Sequence, residues 1–171
     1  MKNLFIFTFQ WIVGSFAYFL IIFQMKYING DFYVNLVVTS ISEMCAYYLT
    51  GVIYQKLGIK TTYFVSHFIG VAGCLLYVVL SPLYPHLVPF LLLGSAFGFC
   101  SACMVNWLAN EQLFPVIYAS STNGICSFFS RISAFLSPQI AEIDQPFPMI
   151  VVVMAGTFAA ILSSFLNVNR E

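Results

Sequence analysis

The chain reads as an all-α membrane protein with six transmembrane helices, and three observations predict this. Hydrophobic residues make up 61% of its 171 positions and charged residues only 7%, against roughly 25% charged in a soluble domain. Loop signals cut the chain into six apolar segments, each near the ~20 residues that a helix needs to cross ~30 Å of hydrocarbon. No period-two alternation supports a barrel, and an open strand edge in lipid would leave backbone groups unpaired, so helices are required.

The first segment, 4–25, holds "LFIFTFQWIVGSFAYFLIIF". It is longer than a secretory apolar core and lacks a small-residue cleavage pattern, so it reads as a retained spanning helix. "KYINGD", an Asn-Gly turn with two charges, separates it from 32–55. "QKLGIK", with a glycine and two lysines, leads to 61–81, and "SPLYPH", with two prolines, leads to 87–109. The breaks "NEQLFP" and "EIDQPFP" then bound 115–140 and 147–167. Residues 1–171 are expected to form a single bundle, and the start at Met1 with the short polar end "NVNRE" predicts a complete small chain.

Six spans put both termini on one side of the membrane. Lys2, Lys56, Lys60 and Arg170 then share the terminal side, while Lys26, Asp31, Glu142 and Asp144 share the other. Positive charge favours the cytoplasmic side, or the matrix side if the membrane is the mitochondrial inner membrane rather than the plasma membrane. The formal net charge is zero and there is no basic cluster, which excludes a nucleic-acid partner.

Nothing in the pattern calls for catalysis, a metal or a cofactor. Cys45, Cys74, Cys100, Cys103 and Cys126 all lie in apolar segments and read as small packing residues. The CxxC spacing of Cys100 and Cys103 has no histidine nearby and no polar, accessible setting. His67 and His86 have no partner at ligand or catalytic spacing, and neither a phosphate-cradling glycine loop nor a nucleophile elbow is present.

Small residues at Gly94, Gly98 and Ala102, four apart, predict a close helix approach in the fourth segment. In the fifth, Gly124, Ser127, Arg131, Ala134 and Pro138 follow a three-four rhythm and share one face, flanked by Asn123 and Ser130. An arginine facing lipid at mid-depth costs at least ~2.5–3.5 kcal/mol, so Arg131 is expected to face a bundle interior or a wet cavity. Glu43 is the one acidic residue at comparable depth in another span. Two readings stand: a buried Glu43–Arg131 ion pair that fixes helix register, or one or both residues meeting a charged ligand.

Two stretches carry a family resemblance. "NEQLFPVIYASSTNGICSFFSRISAFLSP" resembles the link between the tenth and eleventh helices of the organic ion transporters of the major facilitator superfamily, the solute carriers of organic cations, anions and carnitine, with Pro115, Gly124, Ser127, Arg131 and Pro138 in matching places. "SFAYFLIIFQMKYINGDFYVNLVVTSISEMCAY" is similar to that family's seventh helix, Gly-Asp loop and eighth helix, through Tyr18, Gly30, Asp31, Asn35, Glu43, Ala46 and Tyr47. The resemblance implies half of a major facilitator fold, its carboxy-terminal six helices, with the substrate cavity between two such halves. It further implies that Arg131 lines that cavity, and that Glu43 with Arg131 and Ser130 fits the carnitine-type branch. An acid and a base in one cavity also suit a zwitterion, offering each end a counter-charge.

The departures point elsewhere. Ala119 stands where the family has an arginine, Gln112 where it has an acid with Glu111 displaced by one, Cys45 where it usually has proline, and "QKLGIK" is a reduced charged loop. In the family those loop charges latch the alternating states. Two functions are therefore expected to compete. One is a transport-related half-bundle, in which Arg131 and Glu43 meet a small charged organic metabolite, Tyr18 and Phe19 form an aromatic wall, and Asn123 and Ser127 offer hydrogen bonds. The other is a non-transporting accessory subunit of a larger membrane complex, with a mitochondrial respiratory assembly as a candidate. Besides the lipid bilayer, the expected partner is a second transporter half, a homodimer mate or that complex.

Overall fold

The computed structural model describes residues 2–25 and 32–166, and within them the chain is helical throughout apart from short connections. Five α-helices follow one another: α1 (Lys2–Gln24), α2 (Phe32–Leu80), α3 (Val88–Leu113), α4 (Val116–Ala141) and α5 (Phe147–Ser163), with a single 3-10 turn, Pro85–Leu87, before α3. Lys26, Gly30, Asp31 and Arg170, which entered the topology and family readings, lie outside the described residues.

The second and third expected segments are both helical, and they follow one another as two arms of α2 across a kink rather than a loop. The expected loop at "QKLGIK" is a single non-helical residue, Gly58, at φ 78° and ψ 175°. That positive φ is open to glycine and strained for residues with a Cβ, so the sequence breaks the rod there into arms 32–57 and 59–80 without a loop. Other ends follow proline chemistry. Pro115 is extended at φ −56° and ψ 144° and starts α4 after the extended Phe114. Pro138, lacking an amide donor, sits in the last turn of α4, and the helix stops at Ala141.

Among the described residues, three stretches are long and apolar enough to cross a membrane: Lys2–Gln24, Val37–Leu80 and Val88–Leu113. The helix α5 is apolar but shorter, and α4 is diluted by its serines and Arg131.

Packing places α1 at the centre. It meets α3, α4 and α5, while α2 packs on α3 and α5. Two hydrophobic clusters stack along the bundle. One gathers Leu20, Ile21, Tyr77, Leu92, Ala141 and Met149; the other gathers Ile6, Phe7, Tyr63, Val105, Cys126 and Leu166. Each rod thus runs from one end to the other, and the two ends of the described chain meet at the same end. There Lys60 Nζ donates to the Ser164 carbonyl at 3.4 Å.

The glycine face of α3 is only partly as expected. Gly98 lies so close to α2 that a Cβ there would overlap the Gly70 backbone and come within 2.9 Å of the Ser66 carbonyl oxygen. Gly94, expected to share that contact, faces open space with nothing within 4 Å. The reason is helical phase: the residues that meet α2 with Gly98 are Ser95 and Phe99, which turns Gly94 outward.

Candidate functional site

A cavity of about 480 Å³ opens where α1, α3 and α4 converge. Each helix contributes one face at the three-four rhythm that stacks side chains. From α1 come Trp11, Ser15, Tyr18 and Phe19; from α3, Cys103, Asn106 and Trp107; from α4, Ser127, Ser130, Arg131, Ala134 and Phe135. The residues divide by depth. Trp11, Ser15, Asn106 and Ser130 are buried. Arg131 is exposed, and Phe135 and Trp107 stand 70% and 54% exposed at the rim.

The joint beside the cavity is built from serines. The buried face of α4 carries Cys126, Ser130, Ser133, Ser137 and Ala141. Ser130 and Ser15 hydroxyls meet at 2.5 Å, Ser133 donates to the Ile12 carbonyl at 3.2 Å, and Ser137 donates to the Phe16 carbonyl at 3.2 Å. Near the end of the joint, Gln24 Nε2 donates to the Ala141 carbonyl at 2.9 Å. With these contacts on one face, the neighbouring face, bearing Ser127, Arg131 and Ala134, is left to the cavity. Gly124, on that same sequence face, has nothing within 4 Å.

Aromatic edges shape the walls. The Trp11 and Trp107 rings meet edge-on with centroids 5.0 Å apart, and Tyr18 and Phe19 do so at 5.4 Å. Behind the second pair, the Tyr18 hydroxyl donates to Glu43 Oε1 at 2.6 Å. On the floor, the Tyr63 hydroxyl of α2 donates to Asn106 Oδ1, also at 2.6 Å.

The structure thus brings together four of the six site residues expected from sequence: Arg131, Ser127, Tyr18 and Phe19. Glu43 stands outside the lining and reaches it through Tyr18. Asn123 is also outside the lining; its Oδ1 is buried with no hydrogen-bond partner. The alternative of a Glu43–Arg131 ion pair is corrected: the partner of Glu43 is Tyr18, and among the described residues Arg131 forms no ion pair. The physical reason is placement: α4 packs chiefly on α1, whereas α2 packs chiefly on α3 and α5.

Trp11, Ser15, Cys103, Asn106, Trp107 and Phe135 were not singled out from the sequence. Asn106 carried a usable signal, being an amide deep within an apolar span. The cysteines are free: Cys74, Cys100 and Cys126 are buried as packing residues, whereas Cys45 is exposed and Cys103 touches the cavity. Among the described residues no group of three or more His, Cys, Asp or Glu is arranged to hold a metal.

Comparison with known proteins supports the likeness seen in the motifs. A Caenorhabditis elegans protein whose name places it among transporters is 29% identical over 167 residues, covering 94% of this chain and 34% of its own length. The Homo sapiens organic cation/carnitine transporter 2 is 25% identical over 159 residues, covering 91% of this chain and 28% of its own. The Mus musculus solute carrier family 22 member 21 is 28% identical over 159 residues, with the same coverages. No protein-family model matches. The chain spans about a third of the length of these relatives or less. Its similarity to organic cation/carnitine transporters therefore covers nine-tenths of the chain, and with its long apolar helices marks an integral membrane protein related to transporters.

Proposed function

We propose that this chain is a six-span half of an organic ion transporter, the two arms of α2 each crossing the bilayer, and that its cavity receives a small zwitterion of the carnitine type. The observation that carries this reading is Arg131, a guanidinium lining a cavity of about 480 Å³ with no ion pair among the described residues. Such a volume suits a small organic molecule. A mid-depth arginine in a span is retained against its cost where it meets a charge or water.

The division of charge supports a zwitterion. Arg131 offers its charge to a carboxylate, while the aromatic wall of Tyr18 and Phe19, with Glu43 hydrogen-bonded behind Tyr18, suits a quaternary ammonium. A second six-helix bundle, from another chain or another copy, closes the open side where Phe135 and Trp107 stand exposed. Both termini lie on the cytoplasmic or matrix side, a reading supported by Lys2, Lys56 and Lys60 near the end where Phe7 and Leu166 share a cluster.

Vesicle uptake tests the reading. Uptake of a carnitine-type zwitterion is expected, lost in Arg131→Ala and not restored by exchanging Glu43 and Arg131, because the exchange inverts the ligand contacts. A stable stoichiometric place in a large complex, with no substrate-dependent uptake, would favour the accessory-subunit reading instead. Uptake that survives the exchange would overturn the assignment of Arg131 to the ligand's charge.

A further inference from the structure

Asn106, in the cavity lining, is hydrogen-bonded by Tyr63. Asn106 is 1% exposed yet lines the cavity, and Tyr63, at 0% exposed, lies behind it within the cluster of Ile59, Val105, Ala109 and Leu166. The Tyr63 hydroxyl donates to Asn106 Oδ1 at 2.6 Å. A side-chain amide has one acceptor oxygen and two N–H donors. With its oxygen engaged by Tyr63, Asn106 has its N–H donors left to offer a further partner.

The surroundings of that amide are small or already engaged. Gly14 lets α1 pack against α3 beside it: a Cβ there would stand 3.3 Å from Cys103 Sγ and 3.5 Å from Asn106 Nδ2. The neighbouring hydroxyls of Ser15 and Ser130 are engaged with one another. Arg131, on the α4 wall of the same cavity, has only donors as well. An amide N–H and a guanidinium form a donor-only pair, which matches an acceptor-only group.

We propose that Asn106 is a specificity-determining residue that donates to a carboxylate oxygen of the ligand, and that Tyr63 is a positioning residue that fixes the amide in its donor orientation. This assignment rests on the reading of the cavity as a ligand site. It predicts discrimination of a particular kind. A ligand lacking the acceptor leaves a buried amide unpaired, which a site built for hydrogen bonding penalises strongly.

The two tryptophans of the chain, Trp11 and Trp107, both line the cavity, so tryptophan emission of the full-length protein in nanodiscs reads occupancy directly. Three probes separate the contributions: glycine betaine, with cation and carboxylate; tetramethylammonium, the cation alone; and acetate, the carboxylate alone. Asn106→Leu is expected to weaken betaine and acetate by about tenfold while leaving tetramethylammonium unchanged. Tyr63→Phe removes one hydroxyl with little change of shape and cannot touch the ligand. It is expected to show the same pattern at about fivefold, which keeps the test open if Asn106→Leu fails to fold. Equal weakening of all three probes, or unchanged betaine binding in Tyr63→Phe, overturns the assignment and leaves the cavity reading standing. An unaltered protein whose emission responds to none of the probes overturns the cavity reading, and this assignment with it.

Discussion

The α2–α3 seam and the α1–α4 seam both bring helices together through small residues, but they do it with different chemistry. At α2–α3 the small residues are glycines: a Cβ on Gly98 would overlap the Gly70 backbone, and one on Gly70 would stand 2.7 Å from the Phe99 ring. Phe99 there is fully buried. At α1–α4 the small residues are serines, whose hydroxyls reach across to the Ile12 and Phe16 carbonyls and to Ser15. The glycine seam is closed by backbone contact. Alongside the serine seam lies the cavity, so the helix pair that is hydrogen-bonded rather than interlocked is the one that frames the site.

The largest way to break this contrast is Gly98→Val. The new side chain would be forced into the α2 backbone, and overpacking of this kind costs about 3 kcal/mol. The variant should show a markedly lowered melting temperature in detergent; an unchanged melting curve would mean that the glycine seam does not hold the bundle. Gly94→Ala sharpens the comparison four residues away. Its Cβ meets open space, so the gain in helix propensity, up to about 1 kcal/mol, should appear as a slight rise in melting temperature. Ser133→Ala should cost least. Polar contacts between membrane helices average about 0.6 kcal/mol, and a loss well above that would show that the serine seam also interlocks.

Much of this arrangement was legible in the sequence, and the misses have a common physical origin. Apolar run length places the rods, and the rhythm of Ser127, Arg131 and Ala134 places one cavity wall. Small-residue spacing alone does not say which of two neighbouring ridges packs. On α4 the ridge through Ser130, Ser133 and Ser137 hydrogen-bonds to α1, while Gly124 on the neighbouring ridge has nothing within 4 Å. On α3 the same ambiguity separates Gly98 from Gly94. At "QKLGIK" a glycine between lysines looks like a loop, yet one positive-φ residue suffices to turn the chain from one arm of α2 to the next.

Relations between helices were harder to read. Asn106 and Tyr63 are 43 residues apart and meet only because α2 packs on α3. Glu43 and Arg131, the two deep charges, invited pairing by their chemistry. The fold gives Glu43 to Tyr18 and leaves Arg131 to the cavity. Asn123 fits the sequence rhythm one helical turn before Ser127 but stands outside the lining, its Oδ1 buried without a hydrogen-bond partner.

The central claim is that Arg131 faces a ligand rather than a structural partner. Titration of the full chain with glycine betaine, followed by the emission of Trp11 and Trp107, tests it most directly. Saturable binding is expected, weakened by about a hundredfold in Arg131→Gln, as for loss of a charged hydrogen-bond partner, with the melting temperature of the free protein essentially unchanged. Equal betaine affinity in both proteins, or a collapse of thermal stability in Arg131→Gln, would contradict it.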